Sequence, residues 1–317
     1  MTPEILITRP MPDKVIAEAL TRFSLTIRED TTPLSREACI DALHNYDAVL
    51  PTLGDPFNAD VFAVSHAARC RLLANFGVGY NHIDTEAARA AGIAVTNTPG
   101  AVTDATADIA MTLILMTARR AGEGERLLRG GGWTGWHPTQ LLGTHVSGKS
   151  IGIVGMGRIG KAIARRAHFG FDMQVRFFNR SPVADPGLPA RQVDFSGVLA
   201  ADFVVLAVPG GAATHQLIGA AALAQMQRAG FLINIARGDV VDEAALITAL
   251  RSGQIAGAGL DVYAHEPTVP AELVAMENVT LLPHLGTAAL EVREAMGLMA
   301  VANLKAFFDG HALLNPV

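Results

Sequence analysis

Little in this chain is charged, and neither sign dominates. Of 317 residues, 17% are Asp, Glu, Lys or Arg, and the formal net charge is −5. Nucleic-acid binding wants a basic face, and this composition makes no electrostatic case for one. Cysteine is scarce. Cys39 and Cys70 are the only two, and they form no metal or redox spacing; buried free thiols are expected, and no metal site. No basic stretch followed by a long apolar run opens the chain, so no secretion signal and a cytoplasmic location are expected. The most apolar helix candidate, Ile109–Ala118, lies between Asp108 and Arg119 and is too short to cross a bilayer, so no membrane partner is expected. Internal repeats, low-complexity runs and charge blocks are missing as well. Apolar residues are what the chain has in quantity. They make up half of it, which supports a large buried core and argues against disorder. The length suggests about two domains.

Strand-like and helix-like segments alternate. Short aliphatic runs stand at Ile5–Thr8, Leu25–Arg28, Ala48–Leu50, Leu72–Asn75 and Ala94–Thr96. Between them lie helical patterns at Asp13–Phe23, Ser35–His44, Asn58–His66 and Asp84–Ala91. This alternation predicts a parallel sheet covered on both faces, a small flavodoxin-like domain. A long apolar helix, Asp104–Arg120, is followed by a Gly-rich stretch, Gly130–Gly148, that holds Trp133 and Trp136. A second alternation then offers six strands: Ser150–Val154, Gln174–Phe178, Phe203–Val208, Gly230–Asn234, Ala256–Leu260 and Val279–Leu282. Six suffice for a doubly wound dinucleotide domain. A last helix is expected at Ala288–Phe308.

The glycine turn Gly155-Met156-Gly157-Arg158-Ile159-Gly160 sits where such a motif carries meaning, between an apolar strand and a helical pattern at Lys161–Phe169. Gly155 permits the tight turn, Gly157 lets backbone approach a pyrophosphate, and Gly160 lets helix lie close to strand. The helix N-terminus then faces the phosphates. NAD-binding domains usually place a carboxylate at the end of the next strand. Here that strand ends in Asn179-Arg180-Ser181. Arg180, with Asn179 and Ser181, can pair with a 2′-phosphate, which favours NADPH and leaves NADH open. The alternative is a solvated surface cation stacked on adenine.

Three further residues follow late strands, where ligands gather in open α/β sheets: Arg237, Glu266 and His284. The planar fork of Arg237 suits a carboxylate. A carboxylate such as Glu266 stabilises an imidazolium such as His284, which can then protonate a ketone oxygen. Each also has a plainer reading: a core histidine or loop cap, a surface arginine, a turn residue before Pro267.

With these residues in view, the chain resembles the D-isomer-specific 2-hydroxyacid dehydrogenase family over nearly its whole length. The segments that carry the resemblance are 75–84 (NFGVGYNHID), 96–100 (TNTPG), the glycine turn, 234–238 (NIARG), 259–263 (GLDVY), Glu266-Pro267 and 283–286 (PHLG). Segments 103–108 and 132–139 resemble its glyoxylate/hydroxypyruvate reductase branch. The resemblance implies an α/β chain of two doubly wound parallel-sheet domains. A Rossmann dinucleotide-binding domain, 99–287, would be inserted into a flavodoxin-like substrate domain, 1–98 plus 288–317. It implies reduction of a small 2-oxoacid, with Arg237, Glu266 and His284 catalytic. Leu53, the N–H groups of Val78 and Gly79, and Trp136 would also meet the substrate. Thr106, the glycine turn, Val208, Pro209, Thr214, Ile235, Ala236, Asp261 and Gly286 would hold the cofactor. The small, uncharged Gly210–Ala213 before Thr214 departs from the family pattern. Asp261 could instead be a strand-terminal acid that accepts backbone N–H groups. Trp133 and Trp136 could be packing residues, or Trp136 could reach a partner's pocket in a homodimer. Rival readings are another family activity, such as 3-phosphoglycerate dehydrogenase or formate dehydrogenase, and a dinucleotide-sensing binding protein. Glu266 stands where formate-acting members resemble a glutamine–histidine pairing.

Overall fold

In the computed structural model of the chain, which describes residues 2–65 and 67–317, the first five aliphatic runs become one parallel sheet. Its strands are β1 (Glu4–Ile7), β2 (Ser24–Ile27), β3 (Ala48–Leu50), β4 (Leu72–Ala74) and β5 (Ala94–Thr96), in the order β2-β1-β3-β4-β5. The connecting helices are α1 (Asp13–Leu20), α2 (Arg36–Asn45), α3 (Ala59–Val64) and α4 (Thr85–Ala90). Side chains alternate across a strand, so one run feeds two cores. Leu6, Val49 and Leu73 pack with Cys39, Leu43 and Cys70 on one face. Ile5, Ile7, Leu50 and Leu72 pack with Val15 and Leu304 on the other. Both cysteines are free and buried, and burial pushes each thiol up to about 12. Ser35, Asn58 and Asp84 accept N–H groups at the starts of α2, α3 and α4, as short polar side chains do. The expected helix Asn58–His66 is thus α3. Its expected last residue, His66, lies outside the described residues, as does Met1, the first residue of the expected substrate domain.

The second sheet has seven strands. They are β6 (Ser150–Val154), β7 (Gln174–Phe178), β8 (Ala190–Gln192), β9 (Phe203–Leu206), β10 (Phe231–Asn234), β11 (Gly257–Leu260) and β12 (Val279–Leu281). The order is β12-β11-β10-β9-β6-β7-β8, all parallel. The strand β8 corrects the six-strand expectation: Ala190-Arg191-Gln192 is an edge strand with no apolar run to announce it. The helices are α5 (Thr103–Ala118), α6 (Ala121–Arg129), α7 (Arg158–Phe171), α8 (Phe195–Leu199), α9 (Ala220–Leu223), α10 (Glu243–Arg251) and α11 (Ala271–Val274), and α12 (Leu290–Phe308) closes the chain. No residue of α6 is buried, and only Ala121, Leu127 and Leu128 of its nine residues are apolar, too few to predict it. α5 buries Ala107, Ala110, Leu113 and Ile114. It lies close enough to β11 that a Cβ on Gly259 would sit 3.0 Å from Leu113. Among the described residues no helix is long and apolar enough to cross a membrane.

Two compact units result, Met1–Val102 with Thr287–Val317, and Thr103–Gly286. Each holds one sheet. In the second, the strand order reverses between β6 and β9, the switch point outside which α/β sheets gather ligands.

Candidate active site

At the switch point of the second unit, β6 runs into the glycine turn and α7. Gly155 has a φ of +100°, and a Cβ there would lie 2.6 Å from the Ala207 oxygen. A Cβ on Gly160 would collide with the Gly155 carbonyl. Gly157, by contrast, has nothing within 4 Å of where its Cβ would be. The N–H groups of Arg158, Ile159 and Gly160 have no acceptor among the described residues. These are the orphan donors of a helix start, beside the open space at Gly157. Asn179 ties the next strand to this turn. Its Oδ1 accepts Met156 N–H at 3.3 Å, and its Nδ2 donates to Ser181 O at 2.9 Å. Arg180 and Ser181 are exposed.

Arg237, Glu266 and His284 follow the three neighbouring strands β10, β11 and β12. Asn234, buried at the end of β10, shapes the first loop: its Oδ1 accepts Ala236 N–H at 3.0 Å and its Nδ2 donates to Arg237 O at 2.9 Å. The Arg237 guanidinium donates from Nη1 to Ala236 O at 2.7 Å, while its buried Nε has no partner among the described residues. Burial draws this guanidinium below its ordinary value, against the charges of Glu266 and Asp239. A side chain on Gly238 would strike the Tyr263 carbonyl, so glycine lets the Arg237 loop and the Tyr263–Glu266 loop touch.

Glu266 accepts from two sides. Its Oε1 takes Tyr263 N–H at 3.0 Å, and its Oε2 lies 2.8 Å from His284 Nδ1. Burial pushes its carboxyl up, but the His284 hydrogen bond and charge, the Tyr263 N–H and Arg237 together bring it below the ordinary carboxylate value. His284 has a φ of +54°, uncommon for a residue other than glycine. Asp261 holds it there. The Asp261 carbonyl accepts His284 N–H at 3.0 Å, Oδ1 accepts Leu285 N–H at 2.6 Å, and Oδ2 accepts Gly286 N–H at 2.9 Å. Thr106 Oγ1 adds a bond to Gly286 O at 3.1 Å. Burial raises the Asp261 carboxyl, and those N–H groups and His284 work against it. With Nδ1 of the imidazole turned to Glu266, Nε2 is left as the atom that can exchange a proton with a ligand.

In the first unit, the loop after β4 carries Val78 and Gly79. Neither N–H has an acceptor among the described residues, so the loop offers two adjacent free donors. Leu53, half-buried on the loop after β3, has its carbonyl gripped by Arg9 Nη1 at 2.6 Å.

The comparisons with known proteins fit this geometry. Residues 111–286 match the model of the D-isomer specific 2-hydroxyacid dehydrogenase, NAD binding domain. A glyoxylate reductase of Thermococcus kodakarensis is 44% identical over 98% of this chain and 94% of its own. The chain belongs to the D-isomer specific 2-hydroxyacid dehydrogenase family. A glycerate dehydrogenase of Hyphomicrobium methylovorum is 35% identical over 97% of this chain and 96% of its own. Among solved structures, a Thermus thermophilus protein superposes with a TM-score of 0.92 at 38% identity, covering 99% of each chain. An NADPH-dependent glyoxylate/hydroxypyruvate reductase of Sinorhizobium meliloti, in complex with NADP and malonate, gives 0.86 at 36% identity over 100% of this chain and 97% of that one.

As a member of this dehydrogenase family, the protein is an NAD(P)-dependent oxidoreductase. Its second unit fits a dinucleotide: the open space at Gly157 meets three unpaired helix N–H groups, and those donors match a pyrophosphate. The remaining residues singled out from the sequence occupy the same unit. Val208 and Pro209 follow β9, and Ile235 and Ala236 follow β10. Thr214 closes its own loop, with Oγ1 donating to Pro209 O at 2.7 Å. Trp136 is 78% exposed, which removes the reading of it as a packing residue within this chain. Among the described residues no group of His, Cys, Asp and Glu could hold a metal ion. Sequence reasoning passed over Asn234, Gly238, Tyr263 and Glu243. Glu243 accepts Ala264 N–H at 2.9 Å, and Tyr263 donates to Leu282 O at 2.9 Å. All four shape loops; Asn234, Gly238 and Tyr263 stand in segments that carry the family resemblance but had no role of their own there, and Glu243 had no signal.

Proposed function

We propose that this protein reduces small 2-oxoacids, glyoxylate and hydroxypyruvate foremost, to 2-hydroxyacids, with NADPH as the preferred donor and NADH as a weaker one. The observation that carries the reading is the 2.8 Å pairing of His284 Nδ1 with Glu266 Oε2, in a loop system next to a part-buried arginine. Glu266 stabilises the imidazolium and fixes its tautomer, so Nε2 gives its proton to the ketone oxygen. Arg237 binds the substrate carboxylate and holds the carbonyl for attack. The N–H groups of Val78 and Gly79 are further donors for that carboxylate, and Leu53 lines the pocket. The bound nicotinamide supplies the hydride. The glycine turn, Thr106, Val208, Pro209, Thr214, Ile235, Ala236, Asp261 and Gly286 hold the dinucleotide. Arg180, with Asn179 and Ser181, recognises a 2′-phosphate, because no carboxylate stands there to repel it. The unit Thr103–Gly286 is then the cofactor domain, and the other unit the substrate domain.

Relatives that carry the name glyoxylate reductase support the substrate class. The protein acts as a homodimer, in which Trp136 reaches the partner's substrate pocket and favours small substrates. The exposed apolar area of Trp133 (52%), Trp136 (78%), Leu128 (61%) and Leu142 (65%) is what a second copy would cover. The test is initial rates of NADPH and NADH oxidation with glyoxylate, hydroxypyruvate, pyruvate and 2-oxoisocaproate at neutral pH. Fast NADPH oxidation with the first two is the expected result. A preference for NADH would refute the cofactor assignment, and inertness toward all four would refute the substrate class.

A further inference from the structure

Two asparagine side chains grip the loop that carries Val78 and Gly79. Asn75 is wholly buried at the end of β4. Its Nδ2 donates to Gly77 O and to Gly79 O, each at 3.0 Å, and its Oδ1 lies 3.1 Å from His82 Nε2. The two carbonyls require the NH2 group on their side, so Oδ1 faces the histidine. Thr98 N–H adds a second bond to Gly77 O at 3.1 Å. Asn97, just past β5, donates from Nδ2 to Val78 O at 2.9 Å, and its own N–H is anchored on Asn315 O at 3.1 Å.

These bonds fall on particular peptide planes. In a planar trans peptide, the carbonyl of one residue and the N–H of the next point in opposite directions. Gripping Gly77 O therefore aims Val78 N–H, and gripping Val78 O aims Gly79 N–H. Those two N–H groups have no acceptor among the described residues. Gly77, at a φ of +151°, permits the turn this needs. We infer that Asn75 and Asn97 are positioning residues that aim the Val78 and Gly79 N–H groups as a pair of carboxylate donors. The inference rests on the proposed reading of this loop as part of the 2-oxoacid site.

Asn97→Asp tests it without disturbing a fully buried position. The new carboxylate faces the Val78 carbonyl with no donor, so the peptide turns away. The probe is oxalate, an unreactive dicarboxylate, titrated calorimetrically into the enzyme with NADPH, alongside KM and kcat for glyoxylate. The oxalate dissociation constant and KM should rise together by roughly tenfold or more, with a smaller change in kcat, because a charged ligand loses an oriented donor. The NADPH dissociation constant should stay within about twofold. Asn97→Ser, which keeps one donor, should recover part of the loss. Asn75→Asp should cost more, since one amide holds two carbonyls; if it does not fold, the Asn97 variants decide. Oxalate binding and KM unchanged in folded Asn97→Asp would overturn the inference. So would a loss of NADPH affinity and melting temperature in parallel with KM, the pattern of general loosening. A wild-type protein that binds oxalate yet turns over no oxoacid would sink the proposed reaction instead and leave the aimed donors standing.

Discussion

Replacing Glu266 by Gln keeps shape and removes charge, which isolates what the carboxylate does for His284. The amide oxygen can still accept Tyr263 N–H, now 3.0 Å from Oε1. The amide nitrogen then faces His284 Nδ1 and donates to it, which stabilises the neutral ring and opposes the imidazolium. Two unit charges 2.8 Å apart at an effective dielectric constant of about 20 attract by roughly 6 kcal/mol. The side chains are 29% and 30% exposed, so solvent screening brings this down to about 2 kcal/mol. Carried into the proton-transfer step, about 2 kcal/mol is roughly a thirtyfold loss of kcat/KM. The assay is glyoxylate-dependent NADPH oxidation at neutral pH, with NADPH affinity measured separately. That affinity should not change, since the substitution leaves the glycine turn alone. Turnover within about threefold of wild type would refute the reasoning, for then the carboxylate does not support the acid.

Arg237→Lys should raise KM for glyoxylate by roughly ten- to a hundredfold and lower kcat less, because an ammonium cannot reproduce the two-pronged guanidinium; steady-state kinetics checks it, and an unchanged KM removes Arg237 from carboxylate binding. Arg180→Ala should raise KM for NADPH by about tenfold and leave that for NADH alone; equal effects on both cofactors would end the 2′-phosphate assignment. The lowered carboxyl of Glu266 also predicts acid behaviour. Its folded-state value lies below the unfolded one, so its contribution to stability is full above the unfolded value and is lost as pH falls through the folded one. Melting temperature should therefore fall more steeply with acidification in wild type than in Glu266→Gln, and parallel curves would contradict the shift.

Most strands were readable because parallel strands buried on both faces are near-continuous aliphatic runs. β6 and β7 match their expected bounds, whereas β8 escaped because an edge strand of Ala, Arg and Gln has no such run. The same limit hid α6, which buries nothing. The helix expected to run to Arg120 stops at Ala118, and Arg120 turns left-handed at a φ of +53°; no Gly or Pro marks that stop. At the candidate site, residues with reactive groups could be named because each follows a strand. The roles of residues that act on backbone could not: Asn75, Asn97 and Asn234 stand in segments that carry the resemblance, but what they do shows only in the carbonyls they hold.

That division has a physical basis. A side chain that acts on a ligand declares itself by chemical type, while one that orients a peptide declares itself only through geometry. Asp261 shows both faces of the problem. The family resemblance implies a cofactor contact, and the plainer alternative is a strand-terminal acid that accepts backbone N–H groups. Its two oxygens accept Leu285 and Gly286 N–H, and its carbonyl accepts His284 N–H. One buried residue thus holds the turn that keeps His284 at positive φ with Nδ1 on Glu266. A carboxylate has about four lone-pair sites, so these bonds leave it room to accept a donor from a ligand as well. His284, the proton donor of the proposed reaction, is thereby fixed from two sides, by a carboxylate on its ring and by another beneath its backbone. Such double support is what a general acid needs if Nε2 is to meet the same point in space at every turnover.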